Sequence, residues 1–261
     1  RWKDGGTGGN ILNESGAVYI FQRIDNTWTQ TQYIESPNRK RNGWFGRCVD
    51  FNGNYLVVSN KEFDEKAYVY HKVGNTWQLF QQLNTQNNSK EIAIDNNTIV
   101  STSEGGTLSI FKLINGQWEL DRYFDVNQNG GNISGVSSLS VSENNIVLGC
   151  PGSGIRGEVL VVTEENDNWK IHSILPAPFP DRDNQFGYDV AIDGNRLIVD
   201  SIAEYGDGKS PSSVSGYGGS GAAYEYSLSD NAWSLTSYFK DPIVLDESTL
   251  KTIFIKSFYP T

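Results

Sequence analysis

The chain alternates apolar and polar residues in short runs cut by polar turns, and the runs recur as a phrase. Residues 16–28 read GAVYIFQRIDNTW. When Tyr19 is aligned with Tyr68, Ser109, Leu160 and Tyr224, a tryptophan stands nine residues later in every copy: Trp28, Trp77, Trp118, Trp169 and Trp233. Two residues after the anchor come Phe21, Tyr70, Phe111, Val162 and Tyr226; one before it come Val18, Ala67, Leu108, Val159 and Ala223. Period-two alternation interrupted by IDNT, VGNT, INGQ, ENDN or SDNA predicts a strand, a tight turn and a second strand.

A second phrase precedes four of these five. FGRCVDFNGNYLVVS, residues 45–59, overlays FGYDVAIDGNRLIVD, residues 186–200, so that Val49, Phe51, Leu56 and Val58 match Val190, Ile192, Leu197 and Val199. Ile92, Ile94 and Ile99 take the three leading positions in one middle copy, and Leu139, Val141 and Ile146 in the next. NGN, DNN, ENN and DGN between the apolar pairs are tight-turn sequences that tolerate left-handed backbone.

Each unit is therefore four strands in meander order, and the units repeat at spacings of 49, 41, 51 and 64 residues between successive tryptophans. That period and strand count predict an all-β fold, a β-propeller of four-stranded antiparallel blades. A lone four-stranded sheet leaves both faces wet, so neighbours must stack face to face. One domain is expected, with units at 43–89, 90–134, 135–184 and 185–242. Residues 1–42 and 243–261 together make a fifth, in which IVLDESTLKT (243–252) supplies the missing first phrase: Ile243, Leu245 and Leu250 overlay Val190, Ile192 and Leu197. Exposed strand edges would otherwise invite pairing with other chains.

FG followed by an alternating strand, then GAVYIF and a downstream Trp, resembles the FG-GAP repeats of integrin α-chain-like β-propellers. Phe45-Gly46 and Phe186-Gly187 keep the FG pair, the copies beginning near Lys90 and Gly135 have lost it, and GCPG at 149–152 stands near the family's G-A-P. The resemblance implies an extracellular or surface module for protein interaction and adhesion, or a component of a larger surface assembly, without enzymatic activity. A second reading is a carbohydrate-binding propeller, since some lectins resemble this architecture and place sugars between blades.

Composition agrees with the all-β pattern: 27 Gly, 12% aromatic residues, no Met and no sustained helical period. Burying about 200 Å² of each recurring tryptophan at roughly 25 cal/mol/Å² contributes on the order of 5 kcal/mol as an upper bound, which makes the five a packing scaffold. A net charge of −10 argues against nucleic acid as a partner. Arg39-Lys40-Arg41 is a solvated basic run in an inter-blade loop. No apolar run approaches the roughly 20 residues that span a bilayer, so no membrane insertion is expected. The chain opens on Arg1 and has no Met, as a processed or trimmed product would.

Chemistry-bearing residues are few. Cys48 and Cys150 fall two blades apart and read as small buried residues, not a disulfide. His71 and His172 sit in no metal or nucleophile motif. The glycine stretch at 216–221 does not lead from a strand into a helix, as a phosphate loop must. N-glycosylation sequons begin at Asn13, Asn87, Asn96 and Asn132. Calcium is the one candidate ion, and no other cofactor is expected. DVNQNG (125–130) places Asp125, Asn127 and Asn129 at alternate positions ahead of Gly130, the oxygen spacing of a wrapped calcium loop. The family's D-x-D-x-D-G-x-x-D pattern has two of its aspartates as asparagines here and ends on Ile133. Asp181 and Asp183 lack a following glycine. For ligand stacking the candidates are Tyr205 and Tyr217 in the long 203–221 insertion and Trp44 in an inter-blade loop.

Overall fold

The computed structural model describes residues 15–60, 66–86, 90–103, 105–131, 133–154, 156–178, 184–204 and 221–240. Every regular element among them is a β-strand. β1 (Ala17–Ile24) and β2 (Thr27–Glu35) pair as a hairpin. Four antiparallel meanders follow. β3 (Val49–Phe51), β4 (Tyr55–Ser59), β5 (Lys66–Val73) and β6 (Thr76–Asn84) form one, and β7 (Glu91–Asp95), β8 (Thr98–Thr102), β9 (Thr107–Ile114) and β10 (Gln117–Asp125) the next. β11 (Ser138–Ser142), β12 (Asn145–Cys150), β13 (Glu158–Glu165) and β14 (Asn168–Pro176) make the third; β15 (Phe186–Asp193), β16 (Arg196–Ser201), β17 (Ala222–Ser229) and β18 (Ala232–Phe239) the fourth. Hairpin β1–β2 is the counterpart of the outer two strands of each sheet. The phrase at 243–252, expected to supply its inner two, lies outside the described residues.

The turns of the Trp phrases adopt the backbone their residues suit. Asp25-Asn26, Asn115-Gly116, Asn166-Asp167 and Asp230-Asn231 all have positive φ at both positions, the mirror-image turn that follows strand twist. Three residues after each tryptophan the register slips by one, at Thr31, Phe80, Asp121, His172 and Thr236. A bulge at a fixed place re-aims the next side chain. Gln32 thereby accepts Trp77 N–H at 2.7 Å and donates to Trp77 O at 2.7 Å, and Gln81 holds Trp118 the same way at 3.0 and 2.6 Å. In the next pair Arg122 donates to Asp167 O while the bulged Asp121 accepts from Trp169 Nε1. Trp77, Trp118 and Trp169 are thus each gripped by the sheet before them. Trp77, Trp118 and Trp169 are buried, Trp233 is half-buried, and Trp28, with no described sheet ahead of it, is 69% exposed, so the expected scaffold of five holds for four.

Four apolar clusters fill the spaces between neighbouring sheets. Val18, Ile34, Phe45 and Tyr68 join the hairpin to β3–β6, and Val57, Ile92, Ile99 and Trp118 join β3–β6 to β7–β10. Leu108, Ile110, Leu148 and Leu160 join the second and third sheets; Val147, Val161, Phe186 and Tyr224 join the third and fourth. The FG pair has a physical meaning at two of these junctions. Phe45 is edge-on to Tyr68 and Tyr70 at 5.6 and 6.4 Å, and Phe186 meets Tyr224 and Tyr226 at 5.5 and 6.4 Å. The glycine beside it crosses the backbone of the preceding sheet. A Cβ on Gly46 (φ +83°) would lie 2.8 Å from Ala17 O and one on Gly187 (φ +81°) 2.9 Å from Glu158 O, and on the crossed backbone a Cβ on Gly157 (φ +94°) would lie 2.2 Å from Phe186 O, so only glycine fits. Where FG is lost, Gly106 is met instead by the Ile133 side chain.

Candidate functional site

Of the residues singled out in the sequence, Tyr205 and Tyr217 lie outside the described residues. Trp44 sits in the loop before Phe45, 41% exposed and at φ +49°, a left-handed conformation rare for a bulky side chain. Gln185 has the same backbone at the same place in the other FG copy, so the geometry belongs to the repeat.

Asp125, Asn127 and Asn129 do come together in one turn, and that turn is wrapped around its own backbone. Asp125 Oδ1 accepts from the N–H groups of Asn127 and Gln128, Asn127 Oδ1 accepts from Ile133 N–H, and Asn129 Nδ2 donates to Asp125 O. No group of three or more His, Cys, Asp or Glu side chains suited to a metal occurs among the described residues.

Both cysteines are free. Burial pushes each thiol up to about 12, opposed at Cys48 by the Sγ contact with Ile92 O. Neither is a nucleophile at neutral pH. His172, the bulged residue of its strand, is tied to Ser173 and to Asn231 of the next sheet.

A different arrangement stands out between the first two four-stranded sheets. A cavity of about 600 Å³ opens at their turn ends, lined by Asn52, Asn54, Tyr55 and His71 on one side and Asp95, Asn96, Asn97 and Leu113 on the other. Asn52 Oδ1 caps its own turn by accepting from Asn54 and Tyr55 N–H, while its Nδ2 reaches across to Asn96 O at 2.9 Å. Asn96 (φ +46°) donates to Asp95 Oδ2. The Tyr55 and His71 rings are 5.0 Å apart, braced by Phe80 and, edge-on, by Trp118 at 5.3 Å.

The repeat explains why this cleft differs from its equivalents. Tyr55 pairs with His71 across β4 and β5, and the same positions hold Thr98 and Lys112 in the next sheet and Asn145 and Thr163 in the one after. Lys112 bonds Thr98 and forms an ion pair with Glu164 at 2.7 Å across the next junction. Among the described residues, the cleft beside Tyr55 alone combines a ring pair with two asparagine-rich turns. Sequence reading treated His71 as structural and missed the site. The available signal was the tyrosine that replaces Thr98, Asn145 and Arg196 at this position of the repeat.

No family model matches the chain, and no curated protein matches it. Solved structures match in fold. The WD40 domain of Neurospora crassa Pan2 is 14% identical, with 82% of this chain and 57% of that chain covered and a TM-score of 0.52. A protein from Lactobacillus plantarum is 12% identical, with 88% and 64% covered and a TM-score of 0.58. A Bacteroides uniformis protein provisionally described as a 6-phosphogluconolactonase is 13% identical, with 85% and 63% covered and a TM-score of 0.57. The chain spans 57–64% of the length of these structures. At such identity they show the fold alone, an all-β propeller-like stack. The last one corrects the expectation of a protein without enzymatic activity. An architecture shared with a protein described as an enzyme gives no ground for setting catalysis aside.

Proposed function

We propose that this chain is a recognition module of the extracellular or cell-surface kind, serving adhesion or surface assembly, and that its cleft beside Tyr55 and His71 takes carbohydrate. What supports this is the lining: the side chains of Asn52, Asn54, Asp95, Asn96 and Asn97 surround a braced aromatic pair. Sugar hydroxyls both donate and accept, and amides and carboxylates answer both roles. A site with a few placed polar groups on an aromatic wall fixes orientation as well as affinity. The net charge of −10 disfavours polyanionic glycans and leaves neutral saccharides as the better fit.

Titration with neutral oligosaccharides chosen from a glycan array tests the reading through tryptophan fluorescence, because Trp118 backs Tyr55. His71→Ala and Asn54→Ala are expected to weaken binding about tenfold each, roughly 1.4 kcal/mol, with an unchanged unfolding midpoint. No binding to any glycan at high protein concentration overturns it. The protein should be made without glycosylation, since Asn96 heads a sequon and a glycan there would occupy the cleft.

The ring is part of the same proposal: five blades of the FG-GAP type, with β1–β2 as the outer half of the first and the chain termini as its inner half. Support comes from the hairpin's match to the outer strands of the four sheets, including the bulge. A crystal structure with another blade count would replace it.

A further inference from the structure

One device recurs along the innermost strands β3, β7, β11 and β15. A side chain of one sheet accepts a backbone N–H from the innermost strand of the sheet that follows. Asp50 Oδ2 takes Ile94 N–H at 2.8 Å, and Asp95 Oδ2 takes Glu143 N–H at 2.7 Å. Ser138, Ser140 and Ser142 take those of Val190, Ile192 and Gly194 at 3.1, 3.2 and 2.9 Å. Among the described residues each of these acceptors of a backbone N–H belongs to the earlier sheet.

In the same repeat register Asp189 stands where Ser138 stands, and Asp193 where Asp95 and Ser142 stand. Both are exposed. Among the described residues Asp189 Oδ1 accepts from Ser138 Oγ and Val190 N–H, its Oδ2 accepts from none, and Asp193 makes no side-chain hydrogen bond. The rest of this face is open too. Ile198 is 37% exposed, whereas Val57 and Val147 at its position are at 0%. Gly221 (φ +74°) repeats the backbone of Gly157, yet the nearest atom to a Cβ there is Ile202 O of its own sheet at 3.4 Å. The sheet β15–β18 is built to receive a neighbour.

We propose that residues 243–247 of this chain lie against β15 as the next innermost strand, with Ile243 N–H on Asp189 and Glu247 N–H on Asp193. The chain runs on for 21 residues beyond Lys240, and Ile243, Leu245 and Leu250 are in phase with Val190, Ile192 and Leu197. Two carboxylates meeting at Asp193 and Glu247 have a precedent in Asp95 and Glu143, where the bond is to the backbone and both side chains stay near solvent. The inference continues the inter-sheet ladder and is independent of what the cleft binds. It holds for a five-bladed ring, where the same strand would also meet β3, and for a longer one.

Hydrogen exchange read by NMR on the full chain tests it. The amides of Ile243 and Glu247 are expected to exchange at least about 100-fold more slowly than in a free peptide of residues 241–261. Asp193→Ala should return Glu247 to within about tenfold of the peptide rate and leave Val190 and Ile192 protected, and Asp189→Ala should do so for Ile243. In an Ala191→Cys/Leu245→Cys variant, mild oxidation should give an intramolecular disulfide, since these positions correspond to Ser140 and Ile192. Peptide-like exchange in the parent protein overturns the proposal. So does slow exchange indifferent to both aspartates, which places the segment elsewhere, and so does a disulfide formed only between chains, which makes a second copy the occupant.

Discussion

The interior of the stack and its two ends carry the same phrases and differ in what covers them. Trp118 lies between two sheets, gripped by Gln81, and is buried; Trp28 occupies the same position of the hairpin and stands in solvent. Gly157 is crossed by Phe186, while Gly221, with the same backbone, is crossed by nothing described. Burial in this architecture is therefore a property of the junction between units and not of the unit. A repeat gains its apolar free energy only when the next repeat arrives.

Substitutions at matched positions can break that comparison. The largest effect is expected at the tryptophans: Trp118→Ala should cost about 3–5 kcal/mol in urea unfolding, whereas Trp28→Ala should approach that cost if the propeller ring closes over it and stay within about 0.5 kcal/mol if its face is open. A cost above about 2 kcal/mol at Trp28 would mean that its ring is covered in solution. Next come the glycines. Gly157→Ala should cost about 3 kcal/mol, from left-handed backbone plus collision with Phe186 O, against about 1 kcal/mol at Gly221, where only the backbone term applies. Equal costs would show that something crosses Gly221 as well.

Smaller again is the clamp. Gln81→Ala strips partners from both backbone groups of Trp118 and should cost about 1–2 kcal/mol, with Gln32→Ala similar at Trp77. The smallest effect is a pH slope at the open face. Burial pushes Asp200 up to about 6, helped by the charge of Asp189 and opposed by Asp189 N–H. The folded state then binds the proton more tightly than the unfolded chain, so this group's contribution to stability falls as pH rises from about 4 to 6. Asp200→Asn should remove that slope, measured by thermal unfolding across the window. A slope unchanged by the substitution would assign it to other raised carboxyls such as Asp50 or Glu91, both lifted by burial.

Much of the architecture was legible because its signals are local. Alternation around Tyr19 and its equivalents, turns such as INGQ, and the nine-residue step to tryptophan fit within one strand pair. The bulge three residues after each tryptophan was not legible. Its reason is the re-aiming of Gln32 and Gln81 onto a neighbouring sheet, 45 and 37 residues away in the chain. The cleft escaped for the same kind of reason. Asn52 and Asn96 look like ordinary turn residues, and His71 like an isolated strand histidine, until two sheets bring them to one opening. Asp125, Asn127 and Asn129 had the spacing of a calcium loop, but spacing does not reveal which oxygens the turn uses on itself.

The amino-acid order by itself determined the strands, their turns, their grouping in fours and the need to stack, since each follows from periodicity and backbone preference over a dozen residues. Only the tertiary structure decided which tryptophan is buried, why FG needs its glycine, and where a polar opening with an aromatic wall appears. Those outcomes depend on the approach of a neighbouring sheet some 40–50 residues distant, and such distances leave no local pattern.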